Sequence, residues 1–244
     1  MDQQIIGHTD PTKKRQRKWS CLIKNNLRLY FIMGSVNAQC APFEVLELAL
    51  QGGITCFQLR EKGVSSLQGR DKYLFAEKCM KLCKKYNVPF IINDDVDLAI
   101  ALQADGVHIG QEDETASLAR EKIGKDKILG VSVHTIEEAA LAQKAGADYV
   151  GIGPVYATST KEDARIPAGT TMIKQVASQY PNLPIVGIGG LTEKNLVPVL
   201  KAGGSGVALI SAIASSQNPR SQAKVLREKI EEILKKERTP SEHP

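Results

Sequence analysis

The segment Pro89-Phe-Ile-Ile-Asn-Asp94 constrains the fold most, because an apolar run breaks off abruptly into an amide and a carboxylate. A continuous apolar run of this length, opened by Pro and containing β-branched residues, is the pattern of a strand buried on both faces. Charge at its carboxyl end means that the buried strand opens onto something polar. The pattern returns along the chain. Ile54-Thr-Cys-Phe-Gln-Leu-Arg60 runs into Glu61 and Lys62, and Gly106-Val-His-Ile-Gly-Gln111 into Glu112 and Asp113. Tyr149 to Val155 runs into Tyr156 and a Thr/Ser/Lys cluster, and Pro184 to Gly190 ends in a glycine pair.

With Leu27 to Gly34, Ile128 to Val133 and Gly206 to Ile213, these make eight candidate strands. Helical segments separate them: Pro42 to Leu50, a long amphipathic stretch from Gly69 to Tyr86, Val96 to Leu102, and Thr115 to Ile123. Another opens with the capping box Thr135-Ile-Glu-Glu138, in which the hydroxyl and the carboxylate satisfy two backbone N–H groups. A helix follows to Tyr180, the next is capped by Thr192, and the last starts at Asn218-Pro219. Each crossover helix implies parallel neighbours and a right-handed connection. Eight such units close into a single α/β domain, a (β/α)8 TIM barrel of parallel strands, whose site lies at the carboxyl mouth. An open doubly wound sheet is the alternative, but it offers one switch-point crevice and not polar residues at nearly every strand end.

The 244 residues suit one such barrel, expected over 27–236, with a basic mobile tail over 1–26 and a polar tail over 237–244. Net charge is +5, but Lys13-Lys14-Arg15-Gln16-Arg17-Lys18 alone supplies five positive charges, so the barrel itself is nearly balanced. No nucleic-acid partner is expected on charge grounds, the tail excepted. No apolar segment approaches the ~20 residues that span a bilayer, so no membrane partner is expected. Five cysteines, odd in number and without CxxC spacing, fit a reducing cytoplasm. A homo-oligomer is compatible with the sequence.

At the mouth, Val186-Gly-Ile-Gly-Gly190 leaves the seventh strand and Gly206 to Ser211 the eighth. Barrels place a phosphate there, held by backbone N–H groups that glycine leaves accessible. Arg60 and Lys62 share one face of the second strand with Gln58, while Glu61 is opposed. This is a second anion site or a solvated strand end. Lys161, in the long loop after strand six, adds a third cation. Asp94 and Asp113 end neighbouring strands, an arrangement suited to a Mg²⁺ that binds phosphate oxygens. The alternative for Asp94 or Asp95 is a helix N-cap. Gln58 and Asn93 offer donor–acceptor pairs for the edge of a heteroaromatic ring, and His108 is a structural histidine or a ligand contact. No Ser-His-Asp or Cys-His order is convincing, and no His pair has zinc spacing. Two anion sites and one divalent cation point to a phosphorylated substrate meeting a diphosphate.

From about Leu29 to Ile213 the chain resembles the thiamine-phosphate synthase (thiamine-phosphate pyrophosphorylase) family. The resemblance rests on Gln58-Leu-Arg-Glu-Lys62, Ile92-Asn-Asp94, Gly106 to Asp113, Gly130-Val-Ser132, Gly151 to Tyr156, Thr158-Ser-Thr-Lys161, Val186 to Gly190 and Ile210-Ser211. It implies that an aminopyrimidine methyl diphosphate loses pyrophosphate and that the nitrogen of a thiazole phosphate captures the methylene. It further implies that Gln58, Leu59, Arg60, Glu61, Lys62, Asn93, His108, Ser132 and Lys161 meet the pyrimidine diphosphate. Of these, Arg60, Lys62, Ser132 and Lys161 would be catalytic. By the same resemblance, Thr158, Ser159, Thr160, Gly190, Ile210 and Ser211 meet the thiazole phosphate, and Asp94 and Asp113 hold Mg²⁺. A sister reading is a tautomerase with His134 as base; a third is a ligand-binding barrel without catalysis. The intact cation and carboxylate set argues against both.

Overall fold

A computed structural model describes residues 11–38, 40–158 and 166–238. Eight parallel strands close in sequence order: β1 (Leu29–Met33), β2 (Cys56–Leu59), β3 (Phe90–Asn93), β4 (Gly106–Ile109), β5 (Ile128–Val133), β6 (Tyr149–Ile152), β7 (Ile185–Ile188) and β8 (Gly206–Leu209), which pairs back to β1. Helices α1 (Pro11–Asn26), α2 (Pro42–Gln51), α3 (Gly69–Lys85), α4 (Val96–Leu102), α5 (Ala116–Ile123), α6 (Ile136–Lys144), α7 (Thr171–Gln179), α8 (Val197–Lys201), α9 (Ser211–Ala214) and α10 (Pro219–Arg238) complete the order. The (β/α)8 expectation therefore holds, and the open sheet does not.

The pleat decides which residues see the barrel axis. Tyr30 and Ile32, Cys56, Ile91, Tyr149 and Val186 form the inner cluster, whereas Phe31, Phe57, Phe90 and Val107 pack outward beneath the helices. Each such buried side chain contributes about 1.5–3 kcal/mol of hydrophobic stabilisation. Gly130 makes room inside: a Cβ there would run into the ring of Tyr149 and lie 2.5 Å from His108 Nδ1. Small and large side chains thus alternate across the interior, as a filled barrel requires.

Strand pairs are fastened at their amino ends by one repeated device. The residue before each even strand accepts the first or second N–H of the preceding odd strand. Thr55 Oγ1 takes Leu29 N at 2.8 Å, Asp105 Oδ2 takes Phe90 N at 2.9 Å, Asp148 Oδ2 takes Leu129 N at 2.8 Å and Ser205 Oγ takes Ile185 N at 3.4 Å. Those N–H groups sit at the barrel's closed end and would otherwise be orphaned.

Several features differ from the sequence reading. The basic segment before residue 27 is not tail throughout, because Pro11–Asn26 is helical. Trp19 Nε1 donates to Asp148 Oδ1 at 2.6 Å, and Ile23, one turn on, is buried in the inner cluster at 1% exposure. The apolar positions Trp19, Ile23 and Leu27 close the amino end of the barrel, a spacing masked by the charge run before them. Thr192 does not cap a helix. It closes a turn in which Thr192 N donates to Asn195 Oδ1 at 2.7 Å, and α8 begins only at Val197. Pro198 lacks the N–H that an earlier start would need from it. The eighth strand stops at Leu209, and the chain turns at Ile210 into α9. At the other terminus α10 runs to Arg238, two residues past the expected boundary. Among the described residues, no helix is long and apolar enough to cross a membrane.

Candidate active site

The carboxyl ends of the strands surround a cavity of about 490 Å³. Inward alternation brings Gln58, Asn93, His108 and Ser132 to its floor from β2, β3, β4 and β5, in register Asn93 opposite His108 and Ser132 opposite Gly151. Arg60 and Lys62 continue the inward parity of β2 up one wall, and Arg60 N bonds Met33 O at 3.1 Å, which prolongs the strand to that point. Thr158, Gly190, Ile210 and Ser211 line the opposite side.

The charge on the first wall is organised around Asp94. Its backbone is left-handed, φ 63°, a region that Asp tolerates better than most residues. Its carboxylate pairs with Lys62, accepts Asn93 Nδ2 at 2.6 Å and shares a hydrogen bond with Asp113. Asp113 Oδ2 in turn accepts Gly110 N at 2.7 Å. Burial, then the shared bond with Asp113, raises the Asp94 pKa against the pull of Lys62. Burial also opposes ionisation of Asp113, but the Asp94 bond, the Gly110 N–H, Lys62 and His108 together lower its pKa. Opposite shifts are expected when two carboxyls share a site, where ionising the second is disfavoured by the charge of the first. A divalent cation between them would relieve the same repulsion, so the donor set fits Mg²⁺. Among the described residues no third His, Cys, Asp or Glu joins them, so most of the coordination shell would be water or substrate oxygen. The cap alternative belongs to Asp95, which accepts Leu98 N at 2.9 Å and Lys72 Nζ at 2.6 Å.

On the second wall, Gly189 and Gly190 both have positive φ, 98° and 62°. A Cβ on Gly190 would strike the backbone of Ala157 and Tyr156, so the two loops meet only because this residue is glycine. Asn195 Nδ2 holds Gly190 O at 2.9 Å. Next to it, the chain leaves β8 through Ile210 into the first turn of α9 at Ser211. Both loops line one region of the cavity, the place where barrels of this kind take a phosphate.

Two of the expected contacts do not face the cavity with their side chains. Leu59 is 2% exposed and packs in the outer core. Glu61 turns away to bind the Ser35 backbone N–H, Ser35 Oγ at 2.8 Å and Leu67 N at 2.9 Å. It ties the β1 and β2 loops together and thereby steadies Arg60 and Lys62. Ser159, Thr160 and Lys161 lie outside the described residues. The sequence reading missed Tyr30, Tyr149 and Gln111. Gln111 Nε2 donates to Ser132 O at 2.6 Å, and the tyrosine hydroxyls are 2.8 Å apart within the barrel. Inward parity with Gln58 and Gly151 was the available signal for the two tyrosines. His134 lines the rim, where its N–H donates to Glu138 Oε2 at 2.5 Å and its Nδ1 lies 3.3 Å from the same oxygen.

A closed parallel barrel with a cationic wall, a carboxylate pair and a glycine loop after β7 fits an enzyme class that works on phosphorylated substrates. The model of the thiamine monophosphate synthase family matches residues 29–213, and the chain belongs to that family. It is 51% identical over 209 residues to a thiamine-phosphate synthase of Bacillus licheniformis, covering 86% of this chain and 93% of the relative. It is 51% identical over 208 residues to one of Geobacillus kaustophilus, covering 85% and 94%. Among solved structures, thiamine phosphate pyrophosphorylase from Pyrococcus furiosus superposes with a TM-score of 0.77 at 35% identity, over 87% of this chain and 99% of that one.

Proposed function

We propose that this protein is a thiamine-phosphate synthase, a transferase that joins 4-amino-5-hydroxymethyl-2-methylpyrimidine diphosphate to hydroxyethylthiazole phosphate and releases pyrophosphate. The observation that carries the reading is the two-walled cavity: cations and a carboxylate pair on one side, a glycine-lined phosphate loop on the other, about 490 Å³ between them. Two phosphorylated partners can enter one space with the pyrimidine methylene facing the thiazole nitrogen. Arg60 and Lys62 hold the diphosphate and stabilise the negative charge that grows on it as the C–O bond breaks. Such contacts typically contribute ~10²–10³ in rate. Asp94 and Asp113 would hold a Mg²⁺, which supplies further charge neutralisation at the leaving group. The aminopyrimidine donates electrons to its own methylene, so no residue needs to act as base to begin the reaction. Gln58, Asn93, His108 and Ser132 orient the ring on the floor. Thr158, Gly190, Ile210 and Ser211 position the thiazole phosphate so that its nitrogen meets the methylene; of the residues outside the described ones, Ser159 and Thr160 join this set and Lys161 joins Arg60 and Lys62 at the diphosphate. The five free thiols support a reducing, cytoplasmic setting.

The test is pyrophosphate release by purified protein, with each substrate alone, with both, and with Mg²⁺ or EDTA. Release that needs both substrates and Mg²⁺ is expected. Isomerisation of a thiazole carboxylate phosphate without pyrophosphate release would replace this reading by the tautomerase, with His134 as base.

A further inference from the structure

Beneath the cavity floor, five polar side chains from five strands are joined end to end. Gln58 Nε2 donates to the Tyr30 hydroxyl at 2.8 Å, and the Tyr30 and Tyr149 hydroxyls are 2.8 Å apart. Tyr149 Oη lies 3.0 Å from His108 Nδ1, and His108 Nε2 lies 2.9 Å from Ser132 Oγ. The chain runs β2–β1–β6–β4–β5, with both ends at the cavity. Four members are buried, Tyr149 at 0% exposure, Tyr30 at 1%, Gln58 at 2% and His108 at 8%, and Ser132 is half-buried. Burial pushes both phenol pKa values well up, so both tyrosines keep their protons.

Because each hydroxyl carries one proton, the direction of the first bond sets all the others. The Gln58 amide nitrogen can only donate, so Tyr30 accepts from it and donates to Tyr149. Tyr149 then donates to His108 Nδ1, and the imidazole proton sits on Nε2 and is given to Ser132 Oγ. The Ser132 proton is then left to point at the cavity, and Gln58, its nitrogen committed, presents its carbonyl. The reverse order would direct the Tyr30 proton to the sulfur of Cys56, which it also reaches and which is a weak acceptor. Turning the Gln58 amide over would reverse every link and move the His108 proton to Nδ1. The two ends are therefore one variable: an acceptor at Gln58 with a donor at Ser132, or the opposite.

We propose that Tyr30 and Tyr149, acting through His108, are positioning residues that set this polarity. The floor then selects a ring edge with an amino donor facing Gln58 and an acceptor facing Ser132. This rests on the aminopyrimidine reading above and adds two residues that act through other side chains. Reversed polarity would set donor against donor at the Gln58 end, and a site built around a hydrogen bond rejects a mismatched partner strongly.

The test reads the His108 tautomer in protein labelled with ¹⁵N-histidine, by two-bond ¹H–¹⁵N spectra under conditions where the imidazole is neutral. The chain has four histidines, and His108 is assigned by its loss in His108→Asn. The Nε2–H tautomer is expected in the unaltered protein and a mixture in Tyr149→Phe. In that variant KM for the aminopyrimidine diphosphate should rise about tenfold, the scale of one lost buried hydrogen bond, while KM for the thiazole phosphate stays. An Nδ1–H tautomer in the unaltered protein overturns the proposal, as does a Tyr149→Phe variant whose two KM values rise together or not at all. If Tyr149→Phe does not fold, Tyr30→Phe breaks the same chain one link away and carries the same expectations. The spectrum needs no turnover, so an Nε2–H signal in a protein that never releases pyrophosphate would sink the proposed reaction and leave the polarity standing.

Discussion

Asp94→Asn should make the metal-free protein more stable while removing most of its turnover. The Asp94 side chain is 17% exposed and lies against Asp113. An amide of the same shape can still accept from Asn93 and donate to Asp113, as the protonated carboxyl does. It no longer carries a charge that burial and Asp113 oppose. The loss is the Lys62 pair, whose lysine side chain is 43% exposed, and ion pairs so open to water contribute at most about 1 kcal/mol. The sign of the pH dependence follows from the raised pKa. Folding favours the protonated form of Asp94, so the unaltered protein loses stability as pH rises through that raised value, and the variant does not. In EDTA the gap in Tm should be small near about pH 4 and open toward about pH 7. With Mg²⁺ at about ten times its Kd, the unaltered protein should gain about 1.4 kcal/mol, or roughly 3–6 °C for a domain this size. The variant should gain far less, and its pyrophosphate release should fall ~10²–10³-fold. Thermal melts with EDTA and with Mg²⁺ across this pH range, beside the release assay, decide the matter. A variant less stable than the parent in EDTA near pH 7, or one with an undiminished Mg²⁺ response, would refute the account of the carboxylate pair.

Arg60→Ala should lower turnover at least about tenfold by removing a charge-assisted contact, with Tm little changed; unaltered turnover would take Arg60 out of the diphosphate site. Asp148→Ala should cost about 3 kcal/mol, because Trp19, Leu129 and Arg120 all donate to that one carboxylate. This corresponds to a Tm loss of roughly 6–12 °C, and calorimetry checks it, with turnover at low temperature retained. Burial works against ionisation of Glu231, but Arg28 and Arg227 outweigh it and lower its pKa. Its contribution is therefore present above the ordinary carboxylate range and lost as pH falls through the lowered value. The Tm difference between the parent and Glu231→Gln, under about 1 kcal/mol for so exposed a pair, should vanish in acid.

The strands were legible because burial on both faces leaves no polar alternation to confuse the reading. β5 at Ile128–Val133 and α4 at Val96–Leu102 have the bounds that the sequence implied. The errors fall where a short-range signal competes with a longer one. Five charges over Lys13 to Lys18 suggest a solvated tail, yet Trp19, Ile23 and Leu27 follow at helical spacing and find an apolar opening to cover. Thr192 is a good cap residue, but Pro198 decides where a helix can begin. The even-strand fasteners at Thr55, Asp105, Asp148 and Ser205 were present in the sequence as polar residues before strands. Their partners lie on the previous strand, and only the parallel pairing of neighbouring strands brings them together.

The same distinction explains which site residues could be read. Arg60, Lys62, Asp94 and Asp113 declare themselves because charge at the end of an apolar strand has no structural use that is cheaper to supply otherwise. Tyr30 and Tyr149 do not, because a tyrosine inside an apolar strand is also good core, and only the 2.8 Å contact of their hydroxyls separates the two uses. Leu59 and Glu61 entered the expected set with the Gln58 to Lys62 motif, whereas the pleat turns both side chains away from the cavity. Polar groups at the amino ends hold the barrel closed, polar groups at the carboxyl ends line the cavity, and the tyrosine chain inside joins two points of its floor. Substitutions should therefore divide by depth along the strand: at the amino ends they move Tm, at the carboxyl ends kcat, and at Tyr30 and Tyr149 one KM.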